Sequence, residues 1–96
     1  MNLSYQKLLA DSIEKSGFSM RKISRICSER GLPISQSYLS QLSRGEVPPA
    51  SDKINVFLGE VFSELIGIEQ DVFLIEAYRE KIPPEVLKRL QKANTA

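Results

Sequence analysis

The side chains best suited to specific hydrogen bonding in this 96-residue chain lie between Gly31 and Gly45. Set at about 100° per residue from Gln36, the residues Gln36, Ser37, Ser40, Gln41 and Arg44 fill one continuous arc of about 140° on a helix over about 36–44. Tyr38, Leu39 and Leu42 fill the opposite side. The outer arc offers amides, hydroxyls and a terminal guanidinium, and it carries no carboxylate. Glutamine pairs bidentately with the edge of adenine, serine bonds several bases, and arginine prefers guanine or a phosphate. Periodicity alone fits a solvated surface equally well, so the rest of the chain has to separate the two readings.

Charge is the first discriminator. The whole chain is close to neutral at +1, but residues 1–50 hold seven Lys/Arg against four Asp/Glu, whereas residues 51–96 hold six against eight. Within 19–44, Arg21, Lys22, Arg25, Arg30 and Arg44 oppose Glu29 alone. An anionic partner therefore belongs beside this stretch. Arg21, Lys22 and Arg25 are the candidates for phosphate contact, with an ordinary basic surface as the alternative.

The elements that must hold these residues read as six helices, and no segment alternates with period two for long enough to form a strand. The first runs from about Leu3 to Ser16 with Leu8, Leu9 and Ile13 inward, Gly17 as its stop and Phe18 entering the core. Ser19 caps a second helix to about Arg30, with Met20, Ile23, Ile26 and Cys27 on one side and Arg21 and Arg25 on the other. Leu32-Pro33-Ile34 is an extended connection, because the residue before a proline avoids the helical region. Ser35 caps the third helix and Gly45 ends it. After a loop over 46–50, Ser51 caps a fourth helix to Ile66, where Ile54, Phe57, Leu58, Val61, Phe62 and Leu65 give the clearest helical spacing in the chain. A fifth helix over about Glu69 to Ile82 has an apolar arc of about 200°, wider than one packed side requires. Pro84 opens a sixth, to about Lys92.

Ile34-Ser35-Gln36-Ser37-Tyr38-Leu39-Ser40-Gln41-Leu42-Ser43-Arg44-Gly45, followed by Pro49, resembles the recognition helix and following loop of the lambda-repressor-like family, the phage Cro/repressor and related bacterial regulators. The resemblance covers about residues 5–66. It implies an all-α, compact five- to six-helix lambda-repressor-like helix-turn-helix domain whose third helix enters the major groove of double-stranded DNA. It further implies that Gln36, Ser37 and Gln41 read bases and that Ser40 and Arg44 lie near the DNA backbone; Ser35 and Tyr38 at the start of the same helix are further backbone candidates, Tyr38 as a packed ring whose hydroxyl reaches out. Two positions depart from the family pattern. Met20 stands where members carry a phosphate-touching glutamine, and Ser24, at the small-residue position, precedes Ser35 by eleven residues, so either the helix is longer or the turn wider.

On this reading residues 1–68 form the DNA-binding domain and 69–96 a C-terminal helical extension. The wide apolar arc of the fifth helix is either covered by the sixth or forms a homodimer interface of Phe73, Leu74, Ala77, Tyr78 and Ile82. A dimer reading two half-sites about 34 Å apart gains the contacts that one small domain lacks. The rival reading is a protein-interaction module, such as an antitoxin or antirepressor, whose acidic C-terminal half meets a regulatory partner.

Other classes are disfavoured by composition. Histidine is absent and Cys27 is the single cysteine, so no metal cluster, disulfide or cofactor is expected, and Cys27 reads as a small core residue. No phosphate-binding glycine loop or paired catalytic carboxylates occur, so the expectation is no enzyme and no small-molecule substrate. No apolar run approaches the roughly 20 residues that span a bilayer, and the N-terminus lacks a signal-peptide layout, so a cytoplasmic protein without membrane contact is expected.

Overall fold

Three serine hydroxyls set where helices begin in the computed structural model, which describes residues 4–81 together with Glu85, Val86 and Arg89. The chain runs through α1 (Ser4–Ser16), α2 (Met20–Glu29), α3 (Gln36–Ser43), α4 (Asp52–Ile66) and α5 (Val72–Lys81). Among the described residues there is no strand, so the fold is all-α. Ser19, Ser35 and Ser51 hold extended backbones and accept hydrogen bonds from the N–H groups of Lys22, Tyr38 and Ile54 at 3.1, 3.0 and 3.5 Å. Each such cap contributes about 1 kcal/mol by satisfying a donor that the helix leaves free. Gly17 and Gly45, expected to end helices, have positive φ, as do Gly31 and Gly67 behind α2 and α4. Of the sixth helix, Glu85, Val86 and Arg89 are helical, and the remainder lies outside the described residues.

Leu9 and Ile13 of α1, Ile23 and Cys27 of α2, Leu39 and Leu42 of α3, and Leu58 and Phe62 of α4 meet in one buried core. Phe18 does not join it. The left-handed turn at Gly17 (φ 73°) points the chain outward, the Phe18 N–H bonds the Ser16 hydroxyl at 3.1 Å, and the exposed ring lies under the Lys22 ammonium at 5.4 Å.

The fifth helix begins at Val72, three residues later than its periodicity predicts, because the chain after Gly67 must first pass close to α4. Gly59 makes that passage possible: a Cβ there would overlap the carbonyl oxygen of Gln70. α5 then packs against both α4 and α1. Its Phe73 ring meets Tyr5 edge-on at 6.2 Å and Phe62 at 5.6 Å. Phe73 and Ala77, expected at a dimer interface, are wholly buried inside the protomer. The buried part of the α5 apolar arc therefore serves two internal neighbours, while Ile75 and Tyr78 of the same arc stay exposed, and one core holds residues on both sides of position 68. Leu74 is half-buried and Tyr78 is exposed; Ile82 lies outside the described residues.

The first turn of α1 joins three parts of the chain. The Tyr5 N–H, a free donor of the helix start, bonds the Glu80 carboxylate of α5 at 3.1 Å. The Tyr5 hydroxyl donates to Asn55 Oδ1 at 2.5 Å, and Asn55 Nδ2 donates to the Ala50 carbonyl at 2.9 Å. Burial pushes the Tyr5 phenol up to about 12. Gln6, the next residue, lies against Gly45 at the end of α3. The loop that follows α3 is thus fixed from α1 and α4.

Candidate nucleic-acid interface

α3 presents its polar arc outward because its apolar arc is held from behind. Leu39 and Leu42 are fully buried, and the buried Ser43 donates its hydroxyl to the Ser40 carbonyl at 3.0 Å. Gln36, Ser37 and Arg44 are exposed, while Ser40 and Gln41 are half-buried. At the start of the helix Ser35 is exposed and Tyr38 half-buried. The sequence-predicted base readers therefore do share one accessible face, and the hydrophobic residues between them supply its rigidity.

The connection from α2 to α3 accounts for the long spacing between Ser24 and Ser35. α2 stops at Glu29, so the extra residues widen the turn rather than lengthen the helix. The turn is nonetheless fastened. The Ser24 hydroxyl donates to the Ile34 carbonyl at 2.6 Å, the Leu32 N–H bonds the Cys27 carbonyl at 3.1 Å, and Ile34 is buried. A hydroxyl on α2 thereby pins the residue just before the α3 cap.

Two concavities flank this junction. One, of about 480 Å³, is lined by Ser24, Ser28, Pro33, Ile34, Ser35, Tyr38 and Ile54. The second, of about 430 Å³, is lined by Ser19, Arg21, Lys22 and Arg25 at the start of α2. Around the α2 axis the order Ser24, Ser28, Arg21, Arg25 spans about 100°, so the hydroxyls border the α3 start and the guanidiniums come next. Ser28 was not among the sequence candidates. Its only sequence signal is the one-turn spacing from Ser24.

Ion pairing divides the cations. Arg30 pairs with Glu64 of α4, Arg44 Nε lies 2.8 Å from Glu46, and Arg25 lies 4.0 Å from Glu29. Among the described residues, Arg21 and Lys22 have no carboxylate within pairing distance. Two cations without an internal ion pair therefore stand together at the α2 start, whereas the Arg44 guanidinium would have to leave Glu46 to meet an external anion. Glu46, two residues after Arg44 and just beyond the basic 19–44 stretch, was legible as its partner.

Cys27 is fully buried, and burial pushes its thiol up, which disfavours the thiolate. Among the described residues no three acidic or thiol groups gather as a metal site would require. No helix of those residues is long and apolar enough to cross a membrane. The arrangement is suited to binding an extended anion through polar side chains. Comparison of the chain with protein-family models, with curated proteins and with solved structures gave no match.

Proposed function

We propose that this chain is a sequence-specific regulator of transcription that binds double-stranded DNA. It acts as a repressor of the lambda-repressor-like helix-turn-helix type, with α3 in the major groove and two copies engaging two half-sites. The observation that carries the reading is the outer face of α3, where Gln36 and Ser37 are exposed and Gln41 half-buried with no carboxylate among them. An acidic side chain there would be repelled by the phosphates that flank a base edge, so its absence favours DNA over plain solvent. Arg21 and Lys22 supply the phosphate contacts, since neither spends its charge on an internal pair. Ser35, Tyr38 and Ser28 line the path between those cations and α3, where hydroxyls bond phosphate oxygens. Arg25 and Arg44 contribute after releasing Glu29 and Glu46. No catalytic step is part of this role.

Binding to mixed-sequence duplex DNA, followed by fluorescence anisotropy at several salt concentrations, tests the proposal. The wild type is expected to bind with an affinity that falls steeply with salt, as counterion release demands. Replacing Arg21 and Lys22 by Ala together should reduce the salt slope by about 2, one for each phosphate left without its cation. A chain that binds no duplex at low salt refutes the reading and makes α3 a plain surface, which hands the role to protein interaction.

A further inference from the structure

Apolar side chains outside the core concentrate on the side of α4 and α5 that faces away from it. Val56 is 39 % exposed, Ile75 49 % and Tyr78 47 %. The two helices run antiparallel, because Tyr78 donates its hydroxyl to Asp52 at 2.6 Å at one end while Gln70 passes Gly59 at the other. Val56 and Ile75 therefore sit within about a turn of the same level.

Charge is ordered around this apolar centre. Lys53, Val56 and Glu60 are spaced i, i+3, i+7 along α4, which places them on one stripe, and all three are exposed. Asp71, Ile75 and Arg79 are spaced i, i+4, i+8 along α5 and its leading residue, on a second exposed stripe. Each stripe reads charge, apolar residue, opposite charge. The two are arranged so that one end of the surface carries Lys53 and Arg79 and the other carries Glu60 and Asp71. Arg79 makes only a loose internal contact with Glu76, at 3.5 Å, and half its side chain is exposed.

We infer that this surface pairs with the same surface of a second copy of the chain, about a two-fold axis that crosses α4 and α5 at the level of Val56 and Ile75. Such an axis lays α4 antiparallel on the partner's α4. It brings each Lys53 opposite a Glu60, each Asp71 opposite an Arg79, and the exposed apolar residues together at the centre. The alternative two-fold axis, along the helices, would set the basic ends against each other and the acidic ends likewise, so the charge pattern selects the crossing axis. Phe73 and Ala77 take no part, being used up inside the protomer. The inference deepens the proposed function, which calls for two copies, by naming the face through which they associate.

Light-scattering mass against concentration tests it. The wild type should rise from the 10.8 kDa chain mass toward twice that value. Ile75→Arg, an exposed helical position where folding is expected to survive, should weaken association by about tenfold or more by setting a charge in the apolar centre. Lys53→Glu should weaken it by about three- to tenfold at low salt, and adding Glu60→Lys should recover the loss by restoring opposite charges. A wild type that stays at the chain mass overturns the inference, as does an Ile75→Arg variant that associates like wild type, or a double variant that fails to recover. Binding of Ile75→Arg to duplex DNA at low salt separates the two proposals: a monomer that binds there supports α3 as a reader whatever the fate of the pairing face.

Discussion

The surroundings of Tyr5 and the outer face of α3 are built from the same functional groups, hydroxyls and primary amides, in opposite circumstances. Around Tyr5 every bond is made internally: the phenol is committed to Asn55, the Asn55 amide to Ala50, and the helix-start N–H to Glu80. On α3, Gln36 and Ser37 stand in solvent. A buried polar group without a partner costs about 1–3 kcal/mol, so the first set is stability that has been used. The second set is bonding capacity held on a stiff support and still available. The contrast separates the part of the molecule that maintains shape from the part that we propose meets DNA.

The contrast is sharpest where substitutions should act on one region and leave the other. Phe73→Ala should cost about 3–5 kcal/mol of unfolding free energy in urea titration, because it empties space shared by Tyr5 and Phe62 at the meeting of three helices. A loss below about 1 kcal/mol would show that α5 is not part of the core. Tyr5 adds an alkaline dependence. Its folded-state pKa is raised by burial to about 12 from an ordinary 10.0, so the contribution is complete below pH 10 and lost as the pH climbs toward 12. Stability should fall by about 2–3 kcal/mol across that interval beyond what Tyr5→Phe shows. The hydrogen bond from Tyr78 to Asp52 also holds that phenol protonated, which makes comparison with Tyr5→Phe the clean reading. At neutral pH, Tyr5→Phe itself should cost about 1–3 kcal/mol, since Asn55 Oδ1 is left buried without its donor. The smallest effect belongs to the other region: Gln36→Ala with Gln41→Ala should leave thermal stability within about 0.5 kcal/mol of wild type. A larger loss would mean that these glutamines are structural.

Local signals carried much of the fold into the sequence. Ser19, Ser35 and Ser51 were legible as caps because a short hydroxyl before an apolar-periodic run has one obvious use, and the apolar spacing of α4 left no competing period. The polar arc of α3 was legible for the same reason, since its eight residues divide cleanly by chemistry. What stayed hidden depends on partners distant in sequence. Tyr5 and Asn55 are buried through a bond that joins residues fifty positions apart, and hydropathy assigns an asparagine in a helix to the surface. Gly59 carries no signal of its own within the helical spacing of α4, because only the return of Gln70 explains it. The breadth of the apolar arc of α5 was legible, but its division was not: Phe73 and Ala77 are buried, whereas Ile75 and Tyr78 of the same arc stay exposed. An interface between copies and a wedge between two helices of one copy produce the same one-dimensional pattern, and the buried Phe73 and Ala77 identify the wedge. Phe18 misled because its apolar character suggested burial, whereas the turn at Gly17 directs it under Lys22.

The central claim is that the outer face of α3 reads base sequence, and selection from a random duplex pool tests it most directly. Wild-type protein carried through rounds of binding should enrich a defined motif repeated with two-fold symmetry, about 34 Å between half-site centres. The Gln36→Ala, Gln41→Ala variant should retain salt-dependent binding while enriching no motif. Enrichment of the same motif by both proteins would contradict the account, because sequence would then be read elsewhere on the molecule.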